Sequence, residues 1–371
     1  MQKFTLLILG LFITFFSQAQ SAEEEKKAIA QTLRYYIDGG TNSDAAMLRK
    51  AFHPTARLQG IRGGKYAELP IDQYVTRVTK SGKKSTRKGR IVAINLMGNA
   101  AQAKVVIDYA KFRFVDYMQL LKIDNEWKIV NKIYKIQRFQ PKKILFVVSN
   151  HKKLGNTGKK AGTYIPEVTY PFEVFDQEGY KVDFVSPKGG MLAISGMANA
   201  AVDEVTRDFF QDKTHINQLK NTLKPEEVDI DQYAGIYFVG GKGTMWDFPD
   251  NKKLQAITAK MYESNKLVGA VCHGPSGLLN VKLSNGKYLI NGQRVTGYSN
   301  AEDARIKDVL PFLLEDKLKE RGGKYSKAPK KYGKHVVVSG RLVTGQNPVS
   351  AAGVAEEMVT LLNKNMKKTN K

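Results

Sequence analysis

The feature that most constrains this chain is the stretch 267–279, in which an apolar pattern typical of a buried strand ends on a cysteine. Cys272 is the only cysteine of the chain, and His273, Gly274 and Pro275 follow it directly before a second apolar stretch with helical character. A strand, a sharp turn that carries a nucleophile, and a helix form the arrangement called a nucleophile elbow. The stretch therefore predicts a buried strand that presents a thiol at its end.

The local pattern leaves two interpretations of this thiol open. A helix that begins directly after Cys272 would place its positive end near the sulfur and favour the thiolate. Ala270 and Gly274 are small enough for the tight turn, and Pro275 suits a first helical turn. A free cysteine is, however, most often a small buried hydrophobic residue. Other segments of the chain are needed to distinguish a reactive thiol from a buried structural cysteine.

The beginning of the chain has the pattern of a secretory signal peptide. Lys3 precedes the apolar run 4–16, and a small-x-small cleavage sequence ends at Ala19. We expect residues 1–19 to be removed on export to the periplasm or the medium; an uncleaved anchor is the alternative, although 13 apolar residues are short for a bilayer. Export would leave Cys272 as an unpaired thiol in an oxidising compartment, which favours a chemical role.

A net charge of +24 raises the question of nucleic-acid binding. Residues 21–140 hold 23 basic and 11 acidic residues (net +12), and residues 141–371 hold 35 and 24 (net +11), so the charge is spread over both halves. The densest run, 80–90, is expected to be a solvated hairpin loop, with a polyanion or an anionic membrane surface as the second interpretation. No nucleic-acid-binding motif accompanies it, so no specific nucleic-acid partner is expected and membrane contact has no further support.

A chain of 371 residues, 42% of them apolar, is long enough for two globular domains. Residues 22–138 predict a small α+β domain, because helical periodicity comes first and alternating strands follow. The predicted helices are 23–36, which Gly39-Gly40 would end, a second one that Asn42 or Ser43 would cap and that runs through Phe52, and 71–78. The predicted strands are 89–97, 101–114, 117–123 and 126–137.

Three motifs of this first domain are Phe52-His53-Pro54, the short helix 72–78 and the closing strand 127–133. On these motifs the domain resembles the nuclear transport factor 2-like cone fold, in its SnoaL-like or lumazine-binding branch. Members of that fold use the cone as a ligand pocket, an enzyme site or a dimerisation surface. His53 and Asp108 are the polar residues that could be catalytic here, although a helix-ending turn and a strand position explain them as well.

Residues 142–365 predict a doubly wound, mainly parallel α/β sheet of flavodoxin-like form, since strand and helix patterns alternate. Functional sites of such sheets lie outside the carboxyl ends of the strands. The glycine-rich loop 240–243 and Cys272 both follow strands, so we expect them to converge. The predicted strands are 142–149, 180–186, 235–239 and 267–271, and the predicted helices are 166–177, 202–210, 214–223 and 254–264.

Five segments of this half occur in a characteristic order, namely 162–172, 182–190, 240–249, 270–275 and 342–350. On these segments the half resembles the ThiJ/PfpI superfamily, which has a class I glutamine amidotransferase-like fold. The likeness is greatest to the branch of heat-shock chaperones and glyoxalase III enzymes. The resemblance implies that Cys272 is the nucleophile, that His273 is its partner, and that the Glu167 carboxyl lies against the thiol. It also implies that Asp303, or alternatively Glu302, orients the histidine.

The resemblance further implies an oxyanion hole made by the backbone N–H groups of Lys242 and His273, with Gly241 and Lys242 beside the substrate. The family loop commonly reads Gly-Gly-His-Gly, and Lys242 stands in place of that histidine. If its side chain touches the substrate, specificity shifts towards an anion. Glu167 and Asp303 also have a plainer interpretation as acids in first helical turns, the latter before a helix at 304–309.

The resemblance implies a cofactor-free enzyme that converts a 2-oxoaldehyde such as methylglyoxal into a 2-hydroxy acid. Two alternatives are a cysteine hydrolase of amides or peptides, and a stress chaperone or ligand-binding protein whose cysteine senses oxidation. The expected partners are a small aldehyde and a second copy of the chain. No metal is expected, because the five histidines are scattered along the sequence.

Overall fold

The computed structural model describes the backbone of residues 2–200 and 203–369, and the side chains of residues 22–198 and 203–364. The predicted signal peptide lies outside the described side chains, so export and cleavage stay predictions. Over the described part of the chain, no helix combines the length and the apolarity needed to cross a membrane.

The chain divides into two compact units, Met1–Phe139 and Gln140–Lys371, and each is described by itself. The finer domain bounds, 22–138 and 142–365, stay predictions.

The first unit is an α+β arrangement in which a long helix and two short ones pack on a mixed sheet. Its helices are α1 (Gln2–Asn42), α2 (Ala45–Ala51) and α3 (Ile71–Thr79). Its strands are β1 (Phe52–Arg62), β2 (Lys65–Pro70), β3 (Lys88–Met97), β4 (Ala100–Asp108), β5 (Phe112–Ile123) and β6 (Glu126–Arg138). The strand order is β2-β1-β6-β5-β4-β3, and only β1 and β6 run parallel. The predicted apolar face of the first helix is buried, with Ile29, Leu33 and Tyr36 in the core.

The first helix does not end at Gly39-Gly40 as predicted but continues to Asn42. Arg87, far along the chain, donates hydrogen bonds to the carbonyl oxygens of Tyr36 (3.4 Å) and Ile37 (3.0 Å) and so satisfies the end of the helix. A Cβ atom at Gly40 would collide with that guanidinium, so the glycine permits a close approach instead of stopping the helix.

The second predicted helix also differs in its start. It was expected to be capped by Asn42 or Ser43, but α2 begins at Ala45 after Asp44, whose carboxylate accepts a hydrogen bond from the Met47 N–H at 2.9 Å.

Two further expectations for this unit are corrected. The predicted strand 101–114 is two strands, because the backbone N–H of Tyr109 bonds to Phe112 O (2.9 Å) and closes a turn between β4 and β5. The turn brings the rings of Tyr109 and Phe112 together, and they stack with centroids 4.7 Å apart. The basic run 80–90 is largely exposed, as expected, but it is not a hairpin, because it joins α3 to β3. Within it Arg87 is buried, with 6% of its surface exposed.

The second unit is a doubly wound α/β fold, as predicted. Its sheet has the order β15-β16-β12-β11-β7-β9 and is parallel except for the β15–β16 pair. The strands are β7 (Lys143–Val147), β8 (Thr163–Tyr164), β9 (Val182–Val185), β10 (Ile194–Ser195), β11 (Tyr233–Phe238), β12 (Leu267–Val271), β13 (Arg294–Val295), β14 (Lys324–Tyr325), β15 (Val336–Ser339) and β16 (Leu342–Gly345).

The helices of this unit are α4 (Pro166–Gln177), α5 (Met197–Ala200), α6 (Glu204–Gln211), α7 (Lys213–Lys220), α8 (Thr244–Asp247), α9 (Lys252–Glu263), α10 (Asn300–Asp303), α11 (Leu314–Glu320) and α12 (Ala351–Thr369). Short 3₁₀ helices occur at Pro225–Glu227, Ile230–Gln232, Gly274–Leu278 and Pro348–Ser350.

Both faces of the second sheet are covered, which explains the continuous apolar runs of its strands. In β7, Phe146 faces a core that contains Phe175 of α4 and Met358 of α12. Its neighbour Leu145 faces the opposite core, which contains Met261 of α9. The sheet therefore holds its strand ends in a rigid frame, and the candidate site lies at those ends.

Candidate active site

The nucleophile elbow predicted from the sequence has a clear structural counterpart. Strand β12 ends at Val271, and Cys272 adopts a positive φ of 59°, which non-glycine residues rarely adopt. Two backbone hydrogen bonds hold it there, from Cys272 N to Gly345 O (2.9 Å) and from Tyr298 N to Cys272 O (2.8 Å). The sheet thus forces the backbone turn that presents the thiol.

The expected effect of the following helix on the thiol is wrong. That helix, Gly274–Leu278, is a short 3₁₀ segment, and Cys272 is only 4% exposed. Burial raises the pKa of the Cys272 thiol, and Glu167 raises it further where its carboxyl is ionised, while the backbone N–H of Gly241 opposes the increase. The free protein therefore holds a protonated thiol at neutral pH.

Glu167 lies in the first turn of α4 and is fully buried against the thiol. Burial raises the pKa of its carboxyl to about 8, although the Cys272 thiol and the Gly240 N–H oppose this increase. Neither carboxyl oxygen has a hydrogen-bond partner of normal geometry among the described residues. A Cβ atom at Gly240 would collide with Glu167 Oε2 and with Cys272 Cβ, so glycine there lets the acid and the thiol meet. At neutral pH Glu167 is mostly protonated, so its carboxyl can donate a hydrogen bond to the Cys272 sulfur.

His273 lies between the thiol and a buried carboxylate. Its Nε2 is 2.9 Å from Asp303 Oδ2, and its Nδ1 is 3.4 Å from Cys272 Sγ. Because the carboxylate accepts the Nε2 proton, the lone pair on Nδ1 faces the thiol. The ring of Tyr298 packs against the imidazole with centroids 4.4 Å apart and fixes its position further.

The structure distinguishes between the two acids that the sequence left open. The Glu302 carboxylate is directed elsewhere and accepts hydrogen bonds from Ser299 N, Gln346 Nε2 and Asn347 Nδ2 at 2.9–3.0 Å. Asp303 therefore contacts His273 and Glu302 does not. The expected helix at 304–309 is absent from the described backbone, and Asp303 ends the single-turn helix α10 instead.

The loop 240–243 brings backbone N–H groups to the site. Gly241 has a φ of 104°, and a Cβ atom there would collide with Gly162 O. The Thr244 hydroxyl is 2.8 Å from Gly241 O and 3.1 Å from His273 O, which ties this loop to the elbow. The N–H groups of Lys242 and His273 donate to no acceptor in the described part of the chain. They are therefore available to a developing oxyanion, and the oxyanion hole implied by the resemblance stays a prediction.

An open cavity of about 280 Å³ lies above the thiol. Of the predicted site residues, five line it and Asp303 lies behind His273. Sequence reasoning missed other lining residues, among them Lys160, Tyr164, Ser195 and Tyr298. Tyr164 stands in the segment 162–172, which was singled out for another reason, and Tyr298 lies close before Glu302 and Asp303 in the sequence, but nothing in the sequence marked Lys160 or Ser195.

The cavity is positively charged. Lys242 is half-buried and Lys160 is exposed, and neither forms an ion pair with a described residue. The only carboxyl group in the lining is Glu167, which is mostly neutral at pH 7 because its pKa is about 8. Within the described side chains, no group of three or more His, Cys, Asp or Glu residues is placed to hold a metal ion.

The two candidate residues of the first unit have structural roles. His53 Nδ1 is 2.8 Å from the Thr55 hydroxyl in a local turn. Asp108 is ion-paired with Arg90 and, at 3.0 Å, with Arg113. Neither lines the cavity of that unit.

Comparison with known proteins agrees with the two-domain interpretation. Residues 24–135 match the family model described as "Putative lumazine-binding", and residues 162–361 match the DJ-1/PfpI family. The "Glutathione-independent glyoxalase HSP31" of Saccharomyces cerevisiae is 32% identical over 235 residues, which are 60% of this chain and 98% of that protein.

Two solved structures share the fold of the second unit. Francisella tularensis Rapid Encystment Protein 24 KDa is 37% identical, with a TM-score of 0.56, over 58% of this chain and 97% of that one. Glyoxalase III of Candida albicans is 27% identical, with a TM-score of 0.55, over 59% of this chain and 96% of that one. The predicted ThiJ/PfpI resemblance is thereby confirmed. With a family match that spans more than half of its length, the chain belongs to the DJ-1/PfpI family.

Proposed function

We propose that the protein is a glutathione-independent glyoxalase, which converts a 2-oxoaldehyde into a 2-hydroxy acid at Cys272. The observation that carries this proposal is the position of the buried thiol between two proton-transfer groups, the Glu167 carboxyl and the His273 imidazole at 3.4 Å. A thiol of the protein takes the place of a soluble thiol, and the relatives from Saccharomyces cerevisiae and Candida albicans are called glyoxalases.

The first step is addition of the thiol to the aldehyde carbon. His273 Nδ1 takes the thiol proton, the sulfur bonds to the aldehyde carbon, and the N–H groups of Lys242 and His273 stabilise the oxyanion. Asp303 stabilises the imidazolium that forms. His273 then returns its proton to this oxygen, and a neutral hemithioacetal results.

The second step moves hydrogen from one carbon to the other. The ionised fraction of Glu167 takes the proton from the carbon bound to sulfur and returns it to the former ketone carbon through an enediolate. His273 passes the hydroxyl proton between the two oxygens. The aldehyde carbon is thereby oxidised to a thioester as the ketone carbon is reduced. Water then releases the 2-hydroxy acid and the thiol. A carboxyl with a pKa near 8 suits such acid–base exchange close to neutrality.

A direct assay tests this proposal. We expect the purified full chain to form lactate from methylglyoxal with no glutathione present, and a Cys272→Ala variant to form none. Release of 4-nitroaniline from amino-acid anilides, with no lactate, would instead favour the hydrolase alternative. Suppression of aggregation that survives Cys272→Ala, again with no lactate, would favour the chaperone. The expected homodimer stays a proposal, which size-exclusion chromatography with light scattering can test.

The unpaired lysines predict a substrate preference. We expect Lys242→Met to lower kcat/KM for the anionic 2-oxoaldehyde 4,5-dioxopentanoate by at least about tenfold, since a charged hydrogen bond contributes about 1.5–3 kcal/mol. For neutral methylglyoxal we expect a change within about twofold. Lys159→Met is the matched control, because Lys159 is exposed and lies outside the cavity lining. Equal losses of kcat/KM for the two substrates would mean that Lys242 does not discriminate between anionic and neutral substrates.

A further inference from the structure

The first unit contains a cavity of its own, with a volume of about 230 Å³. It lies between helices α1 and α3 and the sheet. Five aromatic side chains line it, Tyr36, Tyr74, Tyr109, Phe114 and Tyr134. Four cationic side chains complete the polar part of the lining, Arg62, Arg77, Arg87 and Lys132. The cavity therefore combines ring surfaces with a concentration of positive charge.

The charge of Lys132 is balanced within the protein. Its ammonium is 3.0 Å from Asp116 Oδ1, and both side chains are buried. It also donates to the Tyr36 hydroxyl at 2.9 Å, and this hydroxyl in turn donates to Asp116 Oδ2 at 2.7 Å. Aromatic rings surround the ammonium, with the centroids of Tyr36 and Tyr74 at 4.9 and 5.4 Å. Lys132 and Asp116 thus form a neutral pair at the base of the cavity.

The three arginines have no such balance. Arg87 is 6% exposed and is held by the carbonyl oxygens of Tyr36 and Ile37. Arg62 is exposed and donates to the Tyr134 hydroxyl at 3.0 Å, and Arg77 is exposed on α3. None of the three forms an ion pair with a carboxylate in the described part of the chain. The lining therefore carries positive charge that no protein group neutralises.

We propose that this cavity binds a small aromatic carboxylate, with its ring among the tyrosine and phenylalanine side chains and its carboxylate towards Arg62 and Arg77. The fork of N–H donors in a guanidinium matches a carboxylate in geometry and charge. A volume of about 230 Å³ is below the usual range for drug-sized ligands, so the ligand has one or two rings. A cation would be repelled, and a neutral aromatic ligand would leave the arginines unpaired. All the lining residues of this cavity belong to the first unit.

Binding of 2-naphthoate to the full chain, followed by its fluorescence and by calorimetry, tests this proposal. We expect 2-naphthoate to bind at least about tenfold more tightly than 2-naphthamide, its neutral analogue, because one charged pair contributes about that factor. The double variant Arg62→Gln/Arg77→Gln should lose this preference. Arg34→Gln is the matched control, since Arg34 is exposed and lies outside the lining.

A second control separates this site from the positively charged cavity above Cys272. Lys242→Met should leave 2-naphthoate affinity unchanged, and one ligand should bind per chain. Loss of binding in Lys242→Met, equal affinity for the carboxylate and the amide, or no binding at all would each overturn the proposal. Because these comparisons use the wild-type protein and Lys242→Met, they remain decisive even if the double arginine variant does not fold.

Discussion

Replacing Cys272 by serine is expected to lower kcat/KM for lactate formation from methylglyoxal by at least about 10³-fold. The hydroxyl is nearly the same size as the thiol, so the strained turn and the cavity stay as they are. A hydroxyl is a far weaker nucleophile, since it is much less acidic than a thiol. Enzymatic determination of lactate measures the loss, with glutathione absent throughout.

Two controls keep that result interpretable. Thermal unfolding should show that Cys272→Ser folds like the wild type. Because Cys272 is the only cysteine, a thiol-reactive label should fall from one per denatured chain to none. Lactate formation at the wild-type rate by a chain without a thiol would rule out the hemithioacetal route.

Glu167→Gln is expected to lower kcat by about 10²–10⁴-fold, the usual contribution of a general acid–base group. Glutamine keeps the shape of the side chain beside Cys272 but cannot exchange a proton with the substrate carbons. Steady-state kinetics with methylglyoxal measure this effect. Glu173→Gln, on the same helix α4, is the matched control and should change kcat little. A Glu167→Gln protein with wild-type kcat would remove Glu167 from the mechanism.

The same variant also has a stability signature. The pKa of Glu167 is about 8 in the folded protein and near 4.5 in the unfolded chain, so the folded state binds more protons between these values. The free energy of unfolding should therefore fall as pH rises from about 4.5 to 8, by roughly 1.4 kcal/mol per unit at most. Urea unfolding at several pH values should show a smaller decrease for Glu167→Gln. An identical pH dependence would mean that Glu167 is not held protonated.

Elements buried on both faces were the most predictable from the sequence. The bounds of β12 and α4 are those expected. An apolar run between glycine-rich or proline-containing turns leaves few other positions at which a strand or helix could begin and end. Convergence of the loop 240–243 with Cys272 was also predictable, since parallel strands end at one edge of a sheet.

Features that depend on distant residues could not be predicted in this way. The first helix passes Gly39-Gly40 because Arg87 satisfies its carbonyl groups, and no local pattern announces that contact. The ionisation of Cys272 was predicted in the wrong direction, because burial beside Glu167 outweighs a short 3₁₀ helix. The sequence alone does not distinguish the adjacent acids Glu302 and Asp303. Hydrogen bonds from Gln346 and Asn347 hold the Glu302 carboxylate away from His273 and leave Asp303 to contact it.

The hydrogen bond from Cys272 N to Gly345 O has a consequence for biosynthesis. Strand β12 (Leu267–Val271) lies between β11 and β16, and β16 (Leu342–Gly345) follows it much later in the sequence. The nascent chain therefore carries an exposed thiol without its flanking strand until β16 has been synthesised. During that interval the thiol is open to oxidants and to pairing with other chains, and docking of β16 ends the exposure.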